Sequence, residues 1–146
     1  RQKLPIASIT KYHMSVPEHL WRFPTQAAIT SLATRFGLPN TPQMQDWEWE
    51  VADPERIDEF FEAYETAETT EDELFVLMEM LLQSFCDAQL DLSQDVRWST
   101  VVDHLNERAE LHAHTIWYWS CLDTEDLEQL WPVTPYVRDI LGRHLR

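Results

Sequence analysis

The chain has 146 residues, 44% of them apolar, with seven Trp, six Phe and four Tyr; that suffices for one domain with its own core and is far from the profile of a disordered chain. Only two glycines occur, Gly37 and Gly142, too few for the positive-φ turns of a sandwich or barrel or for a glycine-rich phosphate loop. With 26 acids against 11 bases the net charge is −15, which repels nucleic-acid phosphate and anionic membrane surfaces and argues against both as partners.

Residues 1–24 read as an irregular arm, because Pro5, Pro17 and Pro24 each forbid a long helix. Within it, residues 4–10 allow a short strand that has no partner strand. After Pro24, Thr25 caps a helix whose apolar positions Ala28, Ile29, Leu32 and Phe36 recur at three and four. Gly37 supplies a left-handed stop, and Pro39 and Pro42 keep the helix from continuing. Asp46-Trp47-Glu48-Trp49-Glu50-Val51 alternates with period two, formally a strand pattern. Short and isolated, it reads instead as a helical turn or an extended linker. Asp53-Pro54 pairs an N-cap carboxylate with proline at the first helical position, and Ile57, Phe60, Phe61 and Tyr64 mark the buried stripe of a helix to about residue 65.

Thr70-Glu71-Asp72-Glu73 fits a capping box. The helix it opens is apolar nearly all round, through Leu74, Phe75, Val76, Leu77, Met78, Met80, Leu81, Leu82, Phe85 and Cys86. Such a helix must be covered on most sides, which places residues 71–90 at the centre of the fold. From Asp95, the positions Trp98, Val102, Leu105, Ala109, His112, Ile116 and Trp119 step by 4, 3, 4, 3, 4, 3. They predict one amphipathic helix of roughly seven turns, with a break, if any, near its end. Asp123 then caps a short segment closing at Trp131-Pro132. Thr134-Pro135 repeats the cap-then-proline start, and Tyr136, Val137, Ile140, Leu141 and Leu145 line a terminal helix. The expected architecture is all-α, one domain over residues 1–146, with five or six helices around the central one. Nothing repeats at the period of a solenoid. The longest near-apolar run, residues 74–82, is interrupted by Glu79 and too short to span a bilayer. No basic-then-apolar leader is evident, so the expected location is cytoplasmic. Cys86 and Cys121, without CxxC spacing, read as core thiols of a reducing compartment rather than a disulfide.

The charge is concentrated. Residues 1–45 carry five bases and one acid, residues 46–79 fourteen acids and only Arg56, and residues 80–146 eleven acids and five bases. On the helix after Asp53, Glu55, Asp58, Glu59, Glu62 and Glu65 share the face opposite the apolar stripe, and like charges at three and four spacing repel. A run of this kind ordinarily serves as a solvated face, but here no lysine intervenes. Trp47 and Trp49 flank Glu48 beside Glu50 inside the same stretch. Acids interleaved with large aromatics resemble the anchor-and-charge surface of a protein-binding hot spot, against the plainer alternative of one core Trp and one half-covered by a loop. The candidate partner-binding residues are therefore Trp47, Glu48, Trp49, Glu50, Glu55, Asp58, Glu59, Glu62 and Glu65, facing a basic protein.

Catalytic and metal patterns are weaker. His112 and His114 stand two apart and diverge on a helix; His112 belongs to the apolar stripe and reads as a hydrogen-bonded core histidine. His104 with Glu107, and Glu110 with His114, have the spacing to share a ligand, but the Glu-x-x-His order of a di-iron bundle is missing. Asp87, Asp91 and Asp95 lack a calcium loop's spacing and glycine. Cys121 with His112 or His114 and Asp123 would need an oxyanion loop that the sequence does not offer. No catalytic residue, cofactor or metal is expected.

The C-terminal third, Trp98-Ser99, Asn106, Ile116-Trp117-Tyr118-Trp119-Ser120 and Thr134-Pro135-Tyr136-Val137-Arg138, resembles the tails of small acidic bacterial proteins of the toxin-immunity type. That resemblance implies a cytoplasmic protein that binds and occludes a cognate toxin domain, often a basic nuclease, and it assigns no individual residue. The alternatives are a nucleic-acid mimic or regulator of a basic DNA-binding protein, in which carboxylates line a surface with few aromatics among them, and an enzyme using a His/Glu site on the long helix.

Overall fold

The computed structural model describes residues 16–126, 128 and 130–145. The expected strand over residues 4–10 lies outside these. Within them the capping chemistry starts and stops the helices much as its residue types dictate. The Thr25 side chain accepts from the Ala28 amide at 3.1 Å and opens α1 (Gln26–Phe36), which ends at Gly37 with φ 65°. The Asp53 carboxylate accepts from the Glu55 amide, starting a 3-10 turn (Pro54–Arg56) that runs into α3 (Ile57–Glu65). Both arms of the Thr70–Glu73 capping box are present at the head of α4 (Glu71–Asp87). Asp95 accepts from the amides of Arg97 and Trp98 and opens α5 (Val96–Glu107).

Every residue of α4 from 74 to 85 is buried, so the all-round apolar helix is indeed central. α1, α3 and the single turn α2 (Trp47–Glu50) pack directly on it, and the terminal helix α7 (Thr134–His144) lies across α5 and α6 (Ala113–Trp119). The buried apolar side chains of all seven helices form one continuous cluster. The fold is all-α, with no strand among the described residues.

The structure departs from the sequence reading in several places. Seven α-helices are present among the described residues rather than five or six. One extra is α2: of the two readings of the period-two stretch, helical turn or extended linker, the helical turn is the one present. The other arises because the long helix breaks at residues 108–112, not near its end, and becomes α5 and α6. The stripe is one-sided up to Ala109, but Ala113, Thr115, Ile116, Trp117, Tyr118 and Trp119 are all buried. A straight continuation would leave some of these in water, so the chain turns at Arg108 (φ −120°, ψ 42°) and drives α6 inward. The central helix stops at Asp87 rather than 90, followed by Gln89 in a left-handed conformation (φ 55°). Thr134 is no cap. It is the first residue of α7, fully buried, and its hydroxyl donates to the Trp119 carbonyl at 2.9 Å, tying α7 to α6. Among the described residues, Asp123 Oδ1 accepts from the Thr124 hydroxyl and the Cys121 thiol.

Candidate functional site

Glu55 of the 3-10 turn and the four acids of α3, Asp58, Glu59, Glu62 and Glu65, all stand exposed, as does Glu50, because Ile57, Phe60, Ala63 and Tyr64 turn the opposite side into the core. Their charge is less bare than the sequence suggests. Arg56 holds Glu59, and that guanidinium pulls the Glu59 carboxyl below its usual range. From α5, Arg97 reaches Asp58 at 2.9 Å while also gripping Asp95, and these hydrogen bonds push the guanidinium further up. His104 Nε2 lies 3.1 Å from Glu65 and Nδ1 3.9 Å from Glu107. Both cross-helix pairs are 39 residues apart in sequence. Moving from Asp58 to Glu65 matches moving from Arg97 to His104, about two turns on each helix, so α3 and α5 run side by side in the same direction. The missing lysines are thus partly replaced by the Arg97 guanidinium from a neighbouring helix. Glu55 and Glu62 make no ion pair among the described residues.

The tryptophans do not join this face. Residues two apart on a helix diverge, and α2 sends Trp47 into the core, 3% exposed, with its indole N–H donating to the Pro39 carbonyl at 2.7 Å. Glu48 is buried as well. Trp49 is half-buried, stacked on Tyr118 with centroids 5.3 Å apart. The plainer alternative, one core Trp and one partly covered, describes the pair, and neither is an exposed aromatic anchor.

What these rings do instead is help wall a cavity of about 420 Å³ between α1, α2, α4 and α6. At its floor is Glu79, the one acid in the buried run of α4 and only 5% exposed. Trp49 Nε1 (3.1 Å) and Trp119 Nε1 (2.8 Å) both donate to its Oε2. His114 closes another side, its ring 5.1 Å from Phe23 and 5.6 Å from Trp117; burial lowers its pKa, only partly opposed by Glu79. Phe75 and Phe23 complete the apolar walls. Sequence reading used Glu79 only as an interruption of an apolar run. An acid in the middle of a helix that is covered on all sides was the available signal.

The remaining candidates resolve into structural roles. His112 is fully buried, its Nε2 2.8 Å from the Tyr64 hydroxyl, as expected of a core histidine. Burial pushes its pKa down to about 3 and raises that of Tyr64. His112 and His114 diverge, one into the core and one to the cavity. Cys86 and Cys121 are thiols, and burial pushes the Cys121 thiol up, away from a reactive thiolate. Among the described residues no three His, Cys, Asp or Glu side chains gather into a metal-binding group, and no helix is long and apolar enough to cross a membrane. No family model matches the chain, and searches of curated proteins and of solved structures give no match either.

Proposed function

We propose that this protein is an acidic docking module that covers a basic protein surface, acting as a cytoplasmic immunity-type inhibitor of a basic toxin domain. The supporting observation is the exposed carboxylate face of α3 and the 3-10 turn that leads into it, where Glu55 and Glu62 project charge that no described cation pairs. Charge arranged this way speeds encounter with a positive partner and selects against negative ones.

A second reading gains from the inward turn of the aromatics. A face of carboxylates with no exposed tryptophan among them offers a partner what a phosphate backbone offers, which supports a mimic of nucleic acid directed at a basic DNA-binding protein. The two readings converge if the partner is a nuclease. An enzyme is the weakest reading. His114 does line a cavity, but no Ser, Thr or Cys that it could activate is among the described residues around it.

The test is capture from native-host lysate by the wild type and by a Glu55→Lys/Glu62→Lys variant in parallel. The wild type retains a basic protein and releases it as salt is raised, and the variant retains far less. A captured protein whose toxic activity is blocked on binding supports the immunity role; one displaced from DNA supports the mimic. Equal retention by the variant, or release that ignores salt, would sink the docking reading.

A further inference from the structure

The break between α5 and α6 leaves buried polar groups without partners. His112 and Thr115 are both fully buried, yet His112 Nδ1 and the Thr115 hydroxyl meet no hydrogen-bond partner among the described residues. The backbone opens at the same place. The His112 amide donates to the Arg108 carbonyl at 3.1 Å and the Ile116 amide to the His112 carbonyl at 2.8 Å, but between them the rung from the Thr115 amide to the Leu111 carbonyl is not made. We propose that this break holds one internal water molecule, bonded to His112 Nδ1, the Thr115 hydroxyl and the Thr115 amide.

Spacing and number both suit a water. Side chains three apart on a helix stand about 5–6 Å from each other at Cβ, a gap that one water spans with two hydrogen bonds of about 2.8 Å each. An internal water typically makes about three hydrogen bonds to groups that would otherwise be unpaired, and a buried backbone N–H is almost never left without one. Here an amide, a hydroxyl and an imidazole nitrogen fall within a single turn. The water oxygen accepts from the amide, and a water can donate to Nδ1 or accept from it, so either tautomer of His112 is served. A metal ion is a poor match, because the described residues gather no group to hold one. Helices that bend sharply without proline or glycine commonly have a water or side chain inserted into the hydrogen-bond ladder. Apolar crowding turns the chain, and the water satisfies what the turn leaves open.

The sign of one substitution tests this. Thr115→Val keeps the shape and β-branching of the side chain and removes only the hydroxyl. A dry, unpaired hydroxyl is a burden, so its loss would leave the thermal midpoint unchanged or raise it; a hydroxyl bonded to water is an asset, so its loss should lower the midpoint by roughly 2–5 °C. The second measurement is a crystal structure of the full-length wild type at a resolution that shows ordered water. The expected result is one solvent peak within hydrogen-bond reach of all three groups. A midpoint that stays or rises in Thr115→Val, no solvent peak at the break, or a Thr115 amide found bonded to the Leu111 carbonyl would each overturn the proposal. Should the variant fail to fold, the wild-type crystal decides by itself. None of these outcomes depends on the α3 face, so this inference and the docking reading stand or fall separately.

Discussion

His112 carries a consequence for acid stability. In the core its Nε2 is 2.8 Å from the Tyr64 hydroxyl and its Nδ1 has no partner among the described residues, and desolvation pushes its pKa down to about 3. In the unfolded chain an imidazole titrates near its ordinary value of about 6.5. Between those two values the unfolded state therefore binds a proton that the folded state refuses. Stability is unaffected above the higher value and falls as pH drops below it, by up to about 1.4 kcal/mol per unit. His114 acts in the same direction. Glu73 and Asp95, whose carboxyls are held below their ordinary range, weaken the fold only further into acid. We expect urea unfolding to show a loss of stability between about pH 6.5 and pH 5 that is shallower in His112→Asn; a flat wild-type profile would contradict it. Tyr64→Phe strips His112 of its partner and should cost about 1–3 kcal/mol by the same measurement at neutral pH. His112 was legible in the sequence because the helical stripe counts it as an inward position. Glu79 was not, because its donors lie 30 residues before and 40 residues after it, and periodicity records only which face a residue occupies.

The caps and the central position of α4 could be read from sequence because each depends on residues within a few positions of one another. Gly37 tests that locality. It sits at φ 65° with nothing within 4 Å of an added Cβ, so Gly37→Ala carries backbone strain without a clash. It should lower unfolding free energy by about 1 kcal/mol, and Gly37→Asn by less. The break between α5 and α6 was harder to place, since no proline or glycine marks it and only the crowding of apolar side chains after residue 111 forces the turn. The acidic face shows the same limit. Its exposure followed from the stripe, but its pairing with α5 required knowing which helix lies alongside. That pairing divides the acids. Glu62→Lys should leave the thermal midpoint near wild type, whereas Asp58→Lys sets a second cation against Arg97 and should lower it. Equal midpoints would mean that the Arg97 contact carries no weight, as many exposed ion pairs do not.

Across the molecule, −15 net charge on 146 residues opposes compaction, and among the described residues a few ion pairs answer it. Added salt should therefore raise the thermal midpoint as the repulsion is screened over about 10 Å at 0.1 M; a falling midpoint would show that the pairs outweigh the repulsion. The single hydrophobic cluster predicts one cooperative transition by every probe. One of those probes is built in. Tyr118 is stacked between Trp49 and Trp131, at 5.3 and 5.8 Å with interplanar angles of 23° and 18°, and Trp119 meets Trp131 edge-on at 4.7 Å. Chromophores this close do not absorb independently. Their transition dipoles mix, and a fixed chiral arrangement of coupled indoles gives a strong paired band in circular dichroism. Helices α2 and α6 and the approach to α7 each contribute a ring, so their relative placement is written into an optical signal that needs no label and changes once any one of them moves away.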